Sequence, residues 1–260
     1  MGKLLIIPDI NNIEKSLELA AEYNLGFEYN DFFEPDVLDD PKEVDRLIDT
    51  YKQYELPGFS TLHGAFFDVI PFSKDKKIRE VSMLRIKQSI DVGRRLGVAA
   101  VVFHTNYNPF LNSDGYKKIW VEENVTLWSE ILEANKDLDI YLENMFDTSP
   151  DMLKMLSERL SVYSNFGVCF DYGHAAISQV EPIEWISSLG KYIKHIHIND
   201  NDLVSDLHLS WGDGKIDRET FYGGYKEYMS EATILIENSS LENQMKSLDK
   251  LREEGFINSK

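Results

Sequence analysis

Cysteine is almost absent from this chain: among 260 residues there is one, Cys169, inside the apolar run Gly167-Val168-Cys169-Phe170. A single cysteine excludes a disulfide framework within the chain, and its surroundings predict a buried strand residue rather than a redox centre or thiolate ligand. A reducing cytoplasm is the matching compartment. Long apolar runs are missing as well. The stretch 4–8 is too short for a signal-peptide core or a membrane span, and no other run approaches the length of a span. Basic residues are in deficit, 27 against 45 acidic ones, for a net charge of −18. Duplex DNA carries about one negative charge per 1.7 Å of axis, so the field of the molecule opposes nucleic acid. Linkers and low-complexity tracts are lacking, which leaves 1–260 as a single domain. No glycine-rich dinucleotide fingerprint follows the first apolar run, where Pro8-Asp9-Ile10-Asn11 stands instead.

What is present is an alternation. Short runs rich in Val, Ile and Phe recur near 3–8, 25–30, 59–64, 99–104, 138–143, 167–171, 193–198 and 232–237. Each is followed by a longer segment of helical periodicity. Asn11-Asn12 precede one helix, Pro41 opens a second over 41–54, and 78–96 is amphipathic and stops at Gly97. Pro150 and Pro182 stand where first helical turns start. Eight strands alternating with eight helices imply a parallel sheet with right-handed crossovers, and closure into an α/β (β/α)8 TIM barrel is the simplest solution. The length suits it, since such barrels run to about 250 residues. A chain this size buries roughly three quarters of its unfolded surface, so a metal is not needed for the core and would serve function.

Barrel active sites gather where strands end. Here those positions carry metal-ligand types: Thr61-Leu62-His63-Gly64, Val102-Phe103-His104, Tyr141-Leu142-Glu143-Asn144, Phe170-Asp171-Tyr172-Gly173-His174, His195-Ile196-His197-Ile198-Asn199-Asp200, Asp206-Leu207-His208 and Leu235-Ile236-Glu237. Only His195 lacks a place in this ring. Imidazole nitrogen with carboxylate oxygen suits Zn²⁺, Mn²⁺ or related ions, whereas an all-oxygen cage suits Mg²⁺ or Ca²⁺. Burying these carboxylates without a cation costs several kcal/mol per unpaired charge, and few Lys or Arg stand at strand ends to offset it.

The segments Leu62-His63-Gly64, Phe103-His104, Leu142-Glu143-Asn144, Phe170 to His174, His197-Ile198-Asn199-Asp200 and His208 to Gly214 resemble the xylose-isomerase-like barrel superfamily, from about the second strand to the end. That grouping includes sugar and sugar-phosphate isomerases and epimerases, and the endonuclease IV type of apurinic endonuclease. In its ketose-epimerase branch one divalent ion, often Mn²⁺, is held by two glutamates, an aspartate and a histidine, which the resemblance carries to Glu143, Asp171, His197 and Glu237. In its endonuclease branch three zinc ions use those four and positions matching His63, His104, His174, Asp206 and His208, all present. The implied cofactor is thus Mn²⁺ or Zn²⁺, one ion with positions for up to three.

Two reactions follow from the likeness. An aldose-ketose isomerase or ketose epimerase would clamp a carbonyl and an adjacent hydroxyl on the cation, with Glu143 and Glu237 as base and acid around an enediolate. His174 would reach a substrate oxygen, and Glu28 would either contact a substrate hydroxyl or support the ligands from behind. Zinc-dependent hydrolysis of abasic DNA is the alternative that uses all nine residues, but the charge argues against it. The loop 65–72 is aromatic, carries Asp68 and no Arg, and fits a lid over a small substrate better than a wedge in a base stack. A non-catalytic sugar or metal sensor is a third reading, opposed by the Glu143/Glu237 pair. Among aromatics near the mouth (Tyr29, Phe32, Phe33, Phe66, Phe67, Tyr107, Tyr172, Trp211), the expected sugar contacts are Phe66, Tyr107 and Trp211. Lys74 to Lys77 reads as a solvated helix start rather than a phosphate site. The expected partner is therefore an unphosphorylated carbohydrate; a homo-oligomer stays open.

Overall fold

The computed structural model describes residues 2–66 and 68–257. Phe67, one of the mouth aromatics, lies outside the described residues. Eight strands are formed: β1 (Leu4–Ile6), β2 (Gly26–Tyr29), β3 (Ser60–His63), β4 (Ala100–His104), β5 (Asp139–Glu143), β6 (Phe166–Asp171), β7 (Ile193–Ile198) and β8 (Thr233–Ile236). They pair in chain order, all parallel, and β8 closes onto β1. The expected (β/α)8 barrel is the fold.

The strands are buried throughout except at Asp139, Lys194 and Thr233, each in the first two residues of its strand. Two-sided burial is what a parallel barrel imposes, and it accounts for the continuous apolar runs. Most buried apolar side chains form one core between strands and helices, while Ala100, Val102, Tyr141 and Cys169 make a separate cluster. Above that cluster the barrel's packing turns polar, and there the site begins.

Local chemistry starts and stops the helices. Pro41–Lys52 is preceded by Asp40, whose carboxylate accepts the Lys42 N–H. Lys76–Leu96 is capped likewise by Asp75 and ends at Gly97, whose φ of +74° lets its N–H return to the carbonyls of Gly93 and Arg94. Pro150 differs from expectation by one position: it precedes the helix Asp151–Leu160 rather than opening it. Two short helices, Pro35–Leu38 and Tyr172–Ala176, add to the eight longer ones among the described residues. The second of these matters for function. Asp171, the last residue of β6, turns its Oδ1 to accept the backbone N–H of His174, so one carboxylate caps this helix and faces the barrel mouth. Gly173 permits the turn, because a Cβ there would lie 2.3 Å from Asn199 Oδ1. No helix among the described residues is long and apolar enough to cross a membrane.

Candidate active site

The strand ends bring distant residues together. His63 closes β3, His104 closes β4, Glu143 closes β5, Asp171 closes β6, His197 lies on β7, and Glu237 follows β8. Asp206 and His208 descend from the loop after β7. Three groups form at the mouth, each with potential donor atoms within 4.8 Å of one another: His63, His104 and Glu143; Glu143, Asp171 and His197; and His174, Asp206 and His208. Glu143 joins the first two. Its Oε2 lies 3.5 Å from His63 Nε2 and 3.4 Å from His104 Nε2, while its Oε1 lies 3.4 Å from His197 Nδ1. Glu237 Oε2 approaches the same His197 nitrogen at 3.6 Å.

The hydrogen bonds of the imidazoles orient their lone pairs. The Nδ1 atoms of His63, His174 and His208 lie 2.9, 2.8 and 3.2 Å from the backbone carbonyls of Gly64, Asn144 and Glu237. A carbonyl accepts only, so each Nδ1 carries the proton and each Nε2 points toward a carboxylate. His174 and His208 both direct Nε2 at Asp206 Oδ2, at 3.2 and 3.0 Å. His197 is turned the other way, with Nε2 3.1 Å from Glu28 Oε1 and Nδ1 facing Glu143 and Glu237. A bare imidazole nitrogen facing a carboxylate oxygen is repulsive unless a proton or a cation lies between them.

The electrostatics point the same way. Glu143 Oε2, His104 Nδ1 and His197 Nδ1 are buried without hydrogen-bond partners among the described residues. Burial pushes the Asp171 carboxyl up to about 8, with Glu237 and Glu143 reinforcing the rise against His174. Burial acts to lower His208, yet Glu237 and Asp206 carry it up to about 10. A set of groups that must take up protons to coexist is short of positive charge, and mixed imidazole and carboxylate donors suit a divalent cation. The residues present therefore fit a metal.

Several supporting residues escape a reading by strand ends alone. Asn144 clamps β5 to β6: its Nδ2 donates to the Asp171 carbonyl and its Oδ1 accepts the Asp171 N–H, at 2.9 and 3.0 Å. Asn199 Nδ2 reaches Asp171 Oδ2 at 3.4 Å and Glu237 Oε2 at 3.3 Å. Its spacing of two from His197, the period of a strand face, was the available signal. Glu28 is fully buried beneath the site, accepts the Thr61 hydroxyl at 2.7 Å and lies 3.0 Å from His195 Nε2. Burial raises its carboxyl, but His197 and His195 outweigh this and hold it well below the usual range. Glu28 thus lies behind the imidazoles of His195 and His197, the supporting position. His195, which had no place in the ring, finds one here, bridging Glu28 and the Thr233 hydroxyl. Cys169 sits near His195 and His197. Burial pushes its thiol well up, which keeps it protonated and unlike a thiolate ligand.

The three aromatics part company. Phe66 is half-buried over the site, its ring centroid 5.0 Å from His63 and 4.9 Å from His104. Tyr107 is packed against Trp120 and forms part of the wall of a cavity of about 660 Å³ that His174 also lines. Trp211 is not at the mouth. It is 2 % exposed, its indole N–H donates to Tyr222 Oη, and it packs on Tyr172 and Phe221, so it is a core residue of the loop after β7.

A closed parallel barrel whose mouth gathers histidines and carboxylates from six strand ends defines a TIM barrel with a site that could hold a metal. The chain belongs to the xylose isomerase-like TIM barrel family, whose model matches residues 17–250. It is similar to a solved D-tagatose 3-epimerase-like protein, with 28 % identity and a TM-score of 0.75 over 96 % of both chains. Fructoselysine 3-epimerase of Shigella flexneri is 26 % identical over 72 % of this chain and 70 % of its own length. Endonuclease IV from Thermus thermophilus shares the fold, with a TM-score of 0.62 and 17 % identity over 97 % of both chains.

Proposed function

We propose that this protein is a divalent-metal-dependent isomerase or epimerase of a small unphosphorylated carbohydrate. The observation that carries the reading is the approach of Glu143 Oε1 and Glu237 Oε2 to His197 Nδ1, at 3.4 and 3.6 Å, where Nδ1 has no hydrogen-bond partner among the described residues and Glu143 and His197 are grouped with Asp171. Glu143, Asp171, His197 and Glu237 would hold one ion, Mn²⁺ or Zn²⁺. When bound, it polarises a carbonyl and the adjacent hydroxyl, acidifying the carbon-bound proton.

The chain's own groups supply the rest. Glu143 and Glu237 both face His197 Nδ1 from different strands, so one takes the proton from carbon and the other returns one, to the adjacent carbon or to the opposite face of the same carbon. His174, 7 % exposed at its side chain and on the cavity wall, stabilises a substrate oxygen. Phe66 covers the site and limits water. What the wall offers supports this substrate class: asparagine, tyrosine, glutamine, serine and aspartate, and neither lysine nor arginine among the described residues. The similarity to two proteins named for 3-epimerases supports the same reading. The test is incubation of the manganese-loaded protein with a panel of ketoses in deuterated water. Deuterium appears at carbon in at least one sugar; none in any sugar contradicts the proposal.

A second reading rests on the two-sided placement of Glu143, which could bridge two ions, and on the third group around Asp206. Such clustering suits phosphodiester hydrolysis, whereas the charge of −18 and a wall without lysine or arginine among the described residues do not. His104→Ala separates the two. Under the one-ion isomerase it lowers deuterium exchange by about tenfold or less, since His104 reaches Glu143 through Oε2, the oxygen turned away from His197, and His197 still faces Oε1. A loss of about a hundredfold, accompanied by cleavage of an abasic duplex by the unaltered protein, favours the multi-ion hydrolase.

A further inference from the structure

Asp147 belongs to no metal group, yet it is 3 % exposed and forms part of the wall of the 660 Å³ cavity. Its two oxygens are unequal. Oδ2 accepts the Thr105 hydroxyl at 2.8 Å and the Met145 N–H at 3.1 Å. Oδ1 is buried with no hydrogen-bond partner among the described residues. Thr105 lies off the cavity wall and Met145 on it, and with Oδ2 held by both, Oδ1 is the acceptor left for whatever fills the cavity. Burial pushes the carboxyl up to about 6, which leaves it mostly ionised at neutral pH. A buried, half-satisfied carboxylate is costly and persists where a ligand completes it.

We propose that Asp147 is a specificity residue: its Oδ1 accepts a hydrogen bond from a substrate hydroxyl away from the reacting carbons and turns aside substrates that carry phosphate or carboxylate at that end. The inference rests on the isomerase reading and narrows its substrate to neutral polyhydroxylated compounds. Asn106 and Gln179 on the same wall add neutral polar groups, and Tyr107 and Phe146 add ring faces for the apolar sides of a sugar. An anionic group in the same place would meet a carboxylate with no lysine or arginine among the described residues of the wall, and with the wall's imidazole, His174, already paired with Asp206.

Asp147→Asn is the informative variant. Oδ2 serves two donors, so the amide oxygen must take that side and the amide N–H₂ then faces the cavity, which removes the charge and reverses the hydrogen-bonding sense. The experiment measures manganese-dependent exchange and turnover of D-tagatose, D-psicose and D-fructose, and of the 6-phosphates of D-tagatose and D-fructose, by the unaltered protein and by this variant. The expected result is a preference of the unaltered protein for free over phosphorylated ketoses. In the variant, KM for the free sugar rises about tenfold or more with kcat within about threefold, as loss of a hydrogen bond to a charged group requires, and the discrimination against phosphate shrinks. Thermal melting confirms the fold, since the two donors keep an acceptor. An unchanged KM and unchanged discrimination in a protein that turns over free ketoses overturns the role of Asp147 and leaves the isomerase standing. A preference of the unaltered protein for phosphorylated ketoses overturns it as well. Exchange with no sugar of the panel sinks the isomerase reading itself, and this inference with it.

Discussion

Glu143→Gln loses at least about a thousandfold in kcat/KM, and added metal does not restore it. The expectation follows from the two faces of this side chain. Oε1 meets His197 and Oε2 meets His63 and His104, so under the proposed function the carboxylate would be both a ligand in the four-residue set and one of the two groups that exchange a proton with carbon. The amide keeps the shape but cannot take a proton from carbon, and its uncharged oxygen is a weaker ligand for a cation. Burial works against ionisation of Glu143, and His197 and His104 overcome it, holding the carboxyl well below the usual range. The anion is therefore the form the barrel is built around. A thousandfold corresponds to about 4 kcal/mol of transition-state stabilisation, which is within what removal of a catalytic base costs. Steady-state kinetics at saturating Mn²⁺ checks it, and a variant within about tenfold of the unaltered protein contradicts the role.

Glu28→Gln is expected to act one layer lower and in a different way. Glu28 is fully buried and lies 3.1 Å from His197 Nε2 and 3.0 Å from His195 Nε2. A carboxylate behind a metal-binding imidazole fixes its tautomer and raises its basicity, and loss of such a partner typically costs about 10–100-fold in metal affinity. Calorimetric titration with Mn²⁺ then shows Kd rising by about that factor, and activity returning at high metal, in contrast to Glu143→Gln. Unchanged metal affinity contradicts the link between Glu28 and His197. Loss of activity that metal cannot rescue, at unchanged affinity, would instead make Glu28 a substrate contact.

The barrel was legible because it repeats. Each strand is a short apolar run with a helix behind it, and two-sided burial leaves no polar alternation to confuse the pattern. The strand ends were legible because ligand types break the apolar runs at their C-terminal sides, as in Phe103-His104 and Leu142-Glu143. Depth inside the barrel was harder to read. Glu28 and His195 face the interior like the ligands, and only the register, which sets Glu28 opposite Thr61 and His195 opposite Thr233, places them below the mouth. Loops were least legible. Trp211 stands three residues after His208, but the segment doubles back through the Asp200–Leu209 bridge and buries the indole. Asp147 and Asn106 lie in loops without periodicity, and proximity to the cavity comes from tertiary packing alone.

Whether Glu143, Asp171, His197 and Glu237 meet around one cation decides the rest. Anomalous diffraction from crystals soaked in MnCl₂ tests it directly. The account predicts a manganese peak within about 2.0–2.3 Å of oxygen or nitrogen atoms of all four residues. A peak that appears only among His174, Asp206 and His208, or no peak at all at saturating metal, contradicts it.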